Sequence, residues 1–315
     1  MLISVVIPCY NAERTIGAAI ESALGQEAEH EIIVVDDGST DGSAGIIHSF
    51  GGRIRAEFGP NSGVSAARNR GTRIALGDLV QYLDSDDLLA PGTLAKRRDA
   101  LVTNGADAAY TDYQRIFETS DGLEQPDKIV SPSPGLLAED AEAACADSRF
   151  WVPPAAILYR RSIVDRVGGF RTEFPVVEDA RFLFDAAAQG AKFAYVPGVG
   201  AFYRVRQNSL SQQSRSRFVH YCFMNAAAIE ASWRARNVLS RNRSEVLRSL
   251  WWQSAVWSLL DSSPDFETAR RHHNRLAKRR AALEVAWLLR RIVGPQVAGF
   301  FARTRLRWHA ALRNS

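Results

Sequence analysis

Apolar and polar residues alternate in two rhythms over the first 110 residues of this 315-residue chain. Short β-branched runs predict strands, and stretches with apolar residues three or four positions apart predict helices. The predicted strands cover residues 3–8, 31–35, 54–58 and 79–83, and the predicted helices cover residues 13–24, 40–50 and 65–76. Strands that alternate with helices at this spacing indicate an α/β fold with a parallel sheet covered on both faces.

The pattern becomes mixed after residue 105 and purely helical after residue 215. A helix is predicted at 179–188, and further strands are predicted at 106–110, 155–159, 192–196 and 201–205. Residues 119–135 are rich in Asp, Pro, Ser and Gly and are predicted to form a loop. The later helices are predicted at 218–239, 246–260, 266–289 and 296–310.

These changes of pattern predict two domains. Residues 1–212 would form an α/β domain with halves at 1–110 and 111–212, and residues 213–315 would form a helical region. The net charge of +4 is unevenly divided, because residues 1–214 hold 20 basic and 29 acidic side chains and residues 215–315 hold 19 and 6. The basic helical region is therefore expected to face an anionic partner.

The cysteines and the N-terminus indicate the cellular compartment in which the protein is expected. Cys9, Cys145 and Cys222 are widely spaced and form neither a metal-binding nor a disulfide pattern, which favours a reducing compartment and burial as small apolar side chains. The N-terminus lacks the charged segment of a signal peptide. No apolar run reaches the roughly 18 residues of a membrane-spanning helix, so a cytoplasmic protein is expected.

The acidic segment Asp84-Ser85-Asp86-Asp87 follows the predicted strand 79–83 directly. Parallel sheets bind their ligands at the carboxyl ends of strands, and the polar clusters after Ile7 and Val35 would lie at the same edge. Mg²⁺ is usually held by one or two carboxylates together with phosphate oxygens of the substrate. The segment therefore predicts a site for a divalent cation and a phosphate.

Five polar clusters occur in order along the first two thirds of the chain. They are Ile7-Pro8-Cys9-Tyr10-Asn11, the acidic segment 35–41, the segment 61–71 with Ala67-Arg68-Asn69, Leu83-Asp84-Ser85-Asp86-Asp87, and Val177-Glu178-Asp179. Together they resemble the family 2 glycosyltransferases, which have the GT-A fold, over about residues 2–210. The resemblance implies a nucleotide-binding half at 1–110 and an acceptor-binding half at 111–212.

The resemblance assigns several residues to the nucleotide sugar. The turn with Pro8, Tyr10 and Asn11 would face the nucleotide. Asp36 and Asp37 would read the base, with Asp37 favoured, because a carboxylate can accept the imide N–H of uracil or thymine. The remaining assigned residues are Gly63, Arg68, Asp84 and Arg204.

The two arginines in this set are expected to make different contacts. Arg68 would meet the ribose or a phosphate, and the alternative is a surface salt bridge to a carboxylate. Arg204, followed by Ser209 and Ser211, matches a later segment of the family and would approach the diphosphate. Arg206 stands where many members carry His, which leaves a further phosphate or metal contact open.

The resemblance also assigns the metal and the base. Asp86 is expected to contact Mg²⁺ or Mn²⁺ directly, with Asp84 touching the metal, the sugar or the ribose. Asp179 is expected to be the catalytic base, and Glu178 is expected to share that role or to orient Asp179. The alternative is that Asp179 only caps a helix. Asp87 would support the metal site or cap the helix after Pro91. Trp151 would stack on the acceptor sugar or pack in the core.

The implied function is a metal-dependent inverting transfer of a sugar from a UDP- or dTDP-sugar to a hydroxyl of a glycan or a lipid-linked acceptor. The Gln-x-x-Arg-Trp pattern of processive members is missing after Asp179, so single additions are expected. A nucleotidyltransferase is one alternative, although a basic Gly-rich loop after the first strand is missing. A non-catalytic nucleotide-sugar-binding scaffold is another. Nucleic acid is not an expected partner.

Arginines and apolar residues alternate at helical spacing in residues 285–310. This pattern is typical of helices that lie on a membrane surface. Lipid-linked acceptors occur at such surfaces, so attachment to the inner face of the cell membrane is expected. A helical bundle packed on the catalytic domain and a homo-oligomer contact are the alternatives.

Overall fold

A computed structural model describes residues 1–118, 124–147, 150–205, 214–261 and 263–276. These residues fall into two compact units, one formed by residues 1–145 and 149–207 and the other by residues 146–148 and the chain from 208 onward. The domain boundaries predicted at 110 and 212 stay predictions. The predicted tail at 285–310 and the residues Arg206, Ser209 and Ser211 lie outside the described part of the chain.

The first unit contains one mixed sheet flanked by helices. Its strands are β1 (Ile3–Cys9), β2 (His30–Asp36), β3 (Arg55–Phe58), β4 (Leu79–Tyr82), β5 (Leu88–Leu89), β6 (Ala108–Glu118), β7 (Glu124–Val130), β8 (Ile157–Arg160) and β9 (Phe193–Val205). Its helices are α1 (Ile16–Leu24), α2 (Ser43–Ser49), α3 (Val64–Ile74), α4 (Thr93–Thr103), α5 (Pro134–Glu139), α6 (Ala141–Ala146), α7 (Arg161–Val167) and α8 (Glu178–Ala188).

The sheet combines a parallel half and a mixed half. Its order is β3-β2-β1-β4-β8-β6-β9-β5, and β7 pairs with β6. The strands β3, β2, β1 and β4 run parallel, as the sequence predicted, whereas β8 runs antiparallel to both β4 and β6. The loop prediction for 119–135 was wrong for residues 124–130, because they pair with β6 as β7. The two extended runs predicted at 192–196 and 201–205 form one long strand, β9.

The core lies on both faces of the parallel half. All seven residues of β1 are buried, as expected for a strand covered by helices on each side. Helix α3 packs closely on this strand, because Gly71 faces Val6 and Val35 without a side chain of its own. A Cβ atom at Gly71 would overlap Val6 Cγ1 and lie 3.2 Å from Val35 Cγ2. The glycine therefore sets how near α3 lies to the strands whose ends carry the polar clusters.

The second unit contains three described helices, α9 (Arg215–Ala235), α10 (Arg241–Leu260) and α11 (Asp265–Leu276). A buried carboxylate joins them: Glu230 accepts hydrogen bonds from Arg234, from the Trp251 indole at 2.7 Å and from His272 at 2.8 Å. Within the described helices of both units, none is long and apolar enough to cross a membrane.

We predict that Gly71→Ala destabilises the protein by about 1–3 kcal/mol, because an added methyl group overpacks a close helix–strand contact. The matched control is Gly45→Ala in α2, where nothing lies within 4 Å of an added Cβ. That change should be neutral or stabilise by about 0.5–1 kcal/mol, since glycine is unfavourable within a helix. Urea unfolding followed by circular dichroism would compare the two, and equal midpoints would contradict the close contact.

Candidate functional site

The polar clusters lie at one edge of the parallel half of the sheet. Cys9 at the end of β1 is in register with Asp36 at the end of β2, and Val6 is in register with Tyr82 at the end of β4. The acidic segment 84–87 begins two residues after that strand ends. The carboxyl ends of three parallel strands therefore bring the first, second and fourth predicted clusters to the same edge.

The loop after β1 is tied to the loop after β2. Asn11 has a positive φ of 50°, its backbone N–H donates to Ser39 Oγ at 3.0 Å, and its side-chain oxygen accepts from the Thr40 backbone at 2.8 Å. Pro8 is buried within β1, whereas Tyr10 is 50% exposed. The predicted nucleotide-facing turn thus presents an exposed aromatic ring on a fixed backbone.

The two aspartates at the end of β2 make different contacts. Asp37 accepts backbone hydrogen bonds from Ser62 and Gly63, and its Oδ1 forms an ion pair with Arg70 Nη2 at 2.7 Å. Asp36 accepts the backbone N–H groups of Gly38 and Ser39 through Oδ1, and its buried Oδ2 has no hydrogen-bond partner among the residues that the structure describes. Asp37 therefore fixes the loop before α3, while Asp36 retains an oxygen able to accept a further bond. The base-reading role of either residue stays a prediction.

Helix α3 carries a buried arginine between two carboxylates. Arg68 is 2% exposed, and its guanidinium donates to Asp84 at 2.5 Å and to Glu178 at 2.9 Å. Burial disfavours the charge of Arg68, but these two carboxylates outweigh it and hold its pKa above the ordinary value. The predicted contact with ribose or phosphate stays a prediction, since the guanidinium here joins residues from two other segments.

The acidic segment after β4 forms a tight turn that β9 supports. The Asp87 backbone N–H donates to the Asp84 carbonyl at 3.0 Å, and the Asp87 carboxylate accepts the Arg204 backbone N–H at 2.9 Å. The Arg204 guanidinium donates to the Asp86 carbonyl at 2.6 Å. The capping role suggested for Asp87 was wrong, because Gly92 is the N-cap of α4 and no side chain caps that helix.

The carboxylates of this turn differ in burial. Asp87 is 1% exposed, and burial first, then the charges of Asp86 and Asp84, raise its pKa well above the ordinary value. Asp84 remains 26% exposed and Asp86 is half-buried, so both can meet a ligand. Arg204 therefore holds the turn through main-chain contacts, and its predicted approach to a diphosphate is not tested by them.

Glu178 and Asp179 form the first turn of α8. The N-cap is Val177 and not Asp179, although Asp179 Oδ1 accepts the Ala180 backbone N–H within the first turn. The catalytic role of Asp179 stays a prediction. Burial raises the pKa of Glu178 to about 7, although Arg68 lowers it. Burial likewise raises the pKa of Asp179, and Arg68 and the Ala180 backbone N–H lower it. A carboxylate whose pKa lies above its ordinary value is a stronger base than an exposed one.

Trp151 contacts Asp179 directly. Its indole Nε1 donates to Asp179 Oδ2 at 3.0 Å, and its ring meets the rings of Tyr113 and Tyr203 edge to face. Sequence reasoning missed this bond, since the two residues lie 28 positions apart and no motif joins them. Stacking of Trp151 on an acceptor sugar stays a prediction.

Tyr203 is a further site residue that the motifs left without a role. Its side chain is half-buried, and burial first, then the charges of four aspartates, raise its pKa. Those aspartates are Asp87, Asp179, Asp86 and Asp84. The charges of the carboxylates predicted for metal binding and for catalysis therefore all act on one phenol. Helix α3 links Asp84 to Glu178 through Arg68 and reaches Asp37 through Arg70.

The described residues contain no group of three or more His, Cys, Asp or Glu side chains arranged to hold a metal ion. The acidic turn nevertheless offers the half-buried carboxylate of Asp86 and the partly exposed one of Asp84 next to each other. Two such oxygen donors suit Mg²⁺ or Mn²⁺ when substrate phosphate completes the coordination.

Known proteins share this fold. The structure superposes on Staphylococcus aureus TarS in complex with UDP-GlcNAc with a TM-score of 0.59 and 16% identity, covering 91% of each chain. It superposes on the mannosyltransferase PcManGT of Pyrobaculum calidifontis in complex with GDP-Man and Mn²⁺ with a TM-score of 0.57 and 19% identity, covering 98% of this chain and 87% of that one. These similarities confirm the predicted fold.

A curated relative and a family model also match this chain by sequence. A curated relative is the UDP-Glc:alpha-D-GlcNAc-diphosphoundecaprenol beta-1,3-glucosyltransferase WfaP of Escherichia coli, 28% identical over 217 residues, or 67% of this chain and 80% of that protein. The family model described as glycosyl transferase family 2 matches residues 4–168, which is more than half of the chain and contains four of the five motif clusters. The chain therefore belongs to the family 2 glycosyltransferases and is a glycosyltransferase of the GT-A fold.

Proposed function

We propose that this enzyme transfers a sugar with inversion from a nucleotide-diphosphate sugar to a hydroxyl group, using Asp179 as the base and a divalent cation at Asp86 and Asp84. The observation that carries the proposal is the Arg68 bridge from Asp84 to Glu178, the neighbour of Asp179. This bridge supports the proposal that the predicted metal carboxylates and the predicted base belong to one site. The acceptor hydroxyl would enter on the Asp179 side, and the diphosphate would leave on the Asp86 side.

Asp179 is suited to take the proton of the acceptor hydroxyl. It lies at the N-terminal end of α8, where the helix dipole stabilises its anion, while burial raises its pKa. Such general-base assistance typically contributes about 10²- to 10⁴-fold to the rate. Inversion takes place in one displacement and needs no covalent intermediate.

The acidic turn is the proposed site of the cation. Asp86 would bind it directly, and Asp84 would contribute the oxygen that does not face Arg68. A cation bound there would act as a Lewis acid that neutralises charge on the departing diphosphate. The Mn²⁺ in the structure of PcManGT supports a divalent cation in this fold.

The donor is proposed to be a UDP- or dTDP-sugar. TarS was crystallised with UDP-GlcNAc and WfaP is named for UDP-Glc, which favours a uracil-type base. Asp36 Oδ2 at the end of β2 is a buried acceptor with no partner among the described residues, and the imide N–H of such a base is a suitable donor for it. Tyr10 and Asn11 are proposed to contact the same nucleotide.

The acceptor is proposed to be a glycan or a lipid-linked sugar in the assembly of a bacterial surface polysaccharide. WfaP acts, by its name, on a diphosphoundecaprenol-linked sugar, and another relative is a succinoglycan biosynthesis protein, ExoU of Rhizobium meliloti. Single additions are proposed, because the processive pattern is missing after Asp179. Family membership favours this transfer over the nucleotidyltransferase and scaffold alternatives.

We predict that Asp179→Asn lowers the transfer rate by about 10²- to 10⁴-fold, because it removes the base while preserving shape. Binding of the nucleotide sugar should stay within a factor of two to three, as read from ligand-induced thermal shifts. The matched control is Asp99→Asn on α4, whose carboxylate is largely exposed and pairs with its neighbour Arg98. Near-normal transfer by Asp179→Asn would overturn the assignment of the base.

A thermal-shift series of nucleotide sugars with and without Mn²⁺ tests the donor and the cation together. UDP- or dTDP-sugars should raise the melting temperature more in the presence of Mn²⁺, since a ligand that binds only the folded state stabilises it. Asp86→Asn should abolish the Mn²⁺-dependent increment and keep the metal-independent part. Equal shifts for the wild type with and without Mn²⁺ would count against the cation site.

Association with the inner face of the cell membrane is proposed for the basic segment 285–310. Each arginine near an anionic leaflet contributes about 1 kcal/mol of attraction. The enzyme should float with phosphatidylglycerol vesicles and not with phosphatidylcholine vesicles. Replacing Arg303, Arg305 and Arg307 by Gln should weaken flotation, whereas Arg53→Gln should leave it unchanged. Absence of binding to anionic vesicles would favour a packing or self-association role.

A further inference from the structure

We propose that Trp151 is a positioning residue that holds the carboxylate of Asp179 in its reactive orientation through the indole N–H. The inference rests on the proposed function, because it concerns the residue assigned as the base. It changes the role that the sequence predicted for Trp151, from a platform for the acceptor sugar to a hydrogen-bond donor behind the base.

The two oxygens of Asp179 are each held by one donor. Oδ2 accepts from the Trp151 indole at 3.0 Å, and Oδ1 accepts from the Ala180 backbone N–H at 2.7 Å. Two bonds to different oxygens fix both the position and the plane of a carboxylate. Since each carboxylate oxygen has two lone pairs, each keeps one for the acceptor hydroxyl.

The indole is itself held by aromatic neighbours. Its ring centroid lies 5.8 Å from that of Tyr113 and 5.3 Å from that of Tyr203, with interplanar angles of 89° and 76°. Edge-to-face contacts of this kind restrict the tilt of a ring. The direction of the indole N–H is therefore set by β6 and β9, the strands that carry the two tyrosines.

The chain just after Trp151 is anchored in the core. The Pro154 carbonyl accepts from Gln81 Nε2 at 2.8 Å, and the Ala155 carbonyl accepts from Arg97 Nη1 at 2.8 Å. Both donors are completely buried, and the three hydrogen bonds of the Arg97 guanidinium go to neutral oxygen atoms. Burial accordingly lowers the pKa of Arg97 to about 9. Such a fixed support is what a preorganised catalytic group requires.

Several charged and titratable groups face Asp179 besides Trp151. They come from α3, the turn after β4, α8, β8 and β9, and they are Arg68, Asp84, Glu178, Tyr159 and Tyr203. The Trp151 indole is a neutral donor: it gives Asp179 a hydrogen bond without adding a charge to the site. Because a donor favours the anion, loss of the indole N–H raises the pKa of Asp179 further.

The first experiment observes the bond without any need for substrate. In the full-length protein labelled with ¹⁵N-tryptophan, the indole signal missing from Trp151→Phe identifies Trp151. That signal should shift as the pH falls below neutrality and the carboxylate gains a proton, and Asp179→Asn should abolish the shift. At fixed pH 7.5, Asp179→Asn should also move the signal upfield, because the charged acceptor is lost. A signal that Asp179→Asn does not move would overturn the proposal.

The second experiment separates positioning from acceptor stacking. Trp151→Phe keeps a large ring and removes the hydrogen-bond donor, which raises the pKa of Asp179. The acidic limb of the pH–kcat profile should therefore move up by about one pH unit. This is the tenfold change in proton affinity that one hydrogen bond to a charged group produces. The KM for the acceptor should change by less than about threefold. Tyr113→Phe, which keeps the ring beside the indole, should leave the limb in place.

The opposite pattern would overturn the proposal. A raised acceptor KM with an unmoved limb would show that Trp151 binds the sugar. The two proposals fail separately: an active Asp179→Asn enzyme would refute the base, whereas an inactive Asp179→Asn enzyme with an unmoved Trp151 signal would refute only the positioning role.

Discussion

The buried ion bridge at Arg68 is the constraint on which the rest of the site depends. One guanidinium joins Asp84, which follows a strand of the parallel half, to Glu178, which begins a helix more than 90 residues later. Breaking a buried pair by removing one partner typically costs about 3–5 kcal/mol, because a charge is left without compensation. The bridge therefore holds the two acidic segments together while keeping their like charges apart, an arrangement that neither segment would adopt alone.

The parallel half of the sheet and the position of the site at its edge follow from the local sequence pattern. The complete strand order does not. The parallel strands and their polar carboxyl ends were predictable, since hydrophobic periodicity fixes the elements and the geometry of parallel sheets fixes the edge. The place of β8 between β4 and β6 was not, because strand order depends on packing between distant segments. Strand β7 was missed for a related reason: its polar composition resembles a loop, and it is a strand because β6 offers it a partner.

The same distinction applies to individual side chains. Asp84, Asp86 and Asp179 were predicted as site residues from motifs, yet the motifs say nothing of the contacts that these side chains make. Asp87 was predicted either to support the metal site or to cap a helix; it does not cap α4, and it accepts a backbone hydrogen bond from Arg204 on β9. The Trp151–Asp179 bond joins residues that no periodicity relates. Long-range hydrogen bonds of this kind arise from the fold as a whole and leave no trace in local sequence.

The origin of the two bridge partners bears on how such enzymes can be recombined. Arg68 belongs to the part of the chain that precedes residue 110, and Glu178 belongs to the part that follows it. A chimera that joins a donor-binding segment from one enzyme to an acceptor-binding segment from another would inherit each partner from a different parent. A hybrid without the arginine would bury Glu178 with no positive partner, whereas a hybrid without the glutamate would leave Arg68 paired with Asp84 alone. Compatibility at these two positions would therefore affect the stability of the hybrid, and loss of the arginine would be the more costly mismatch.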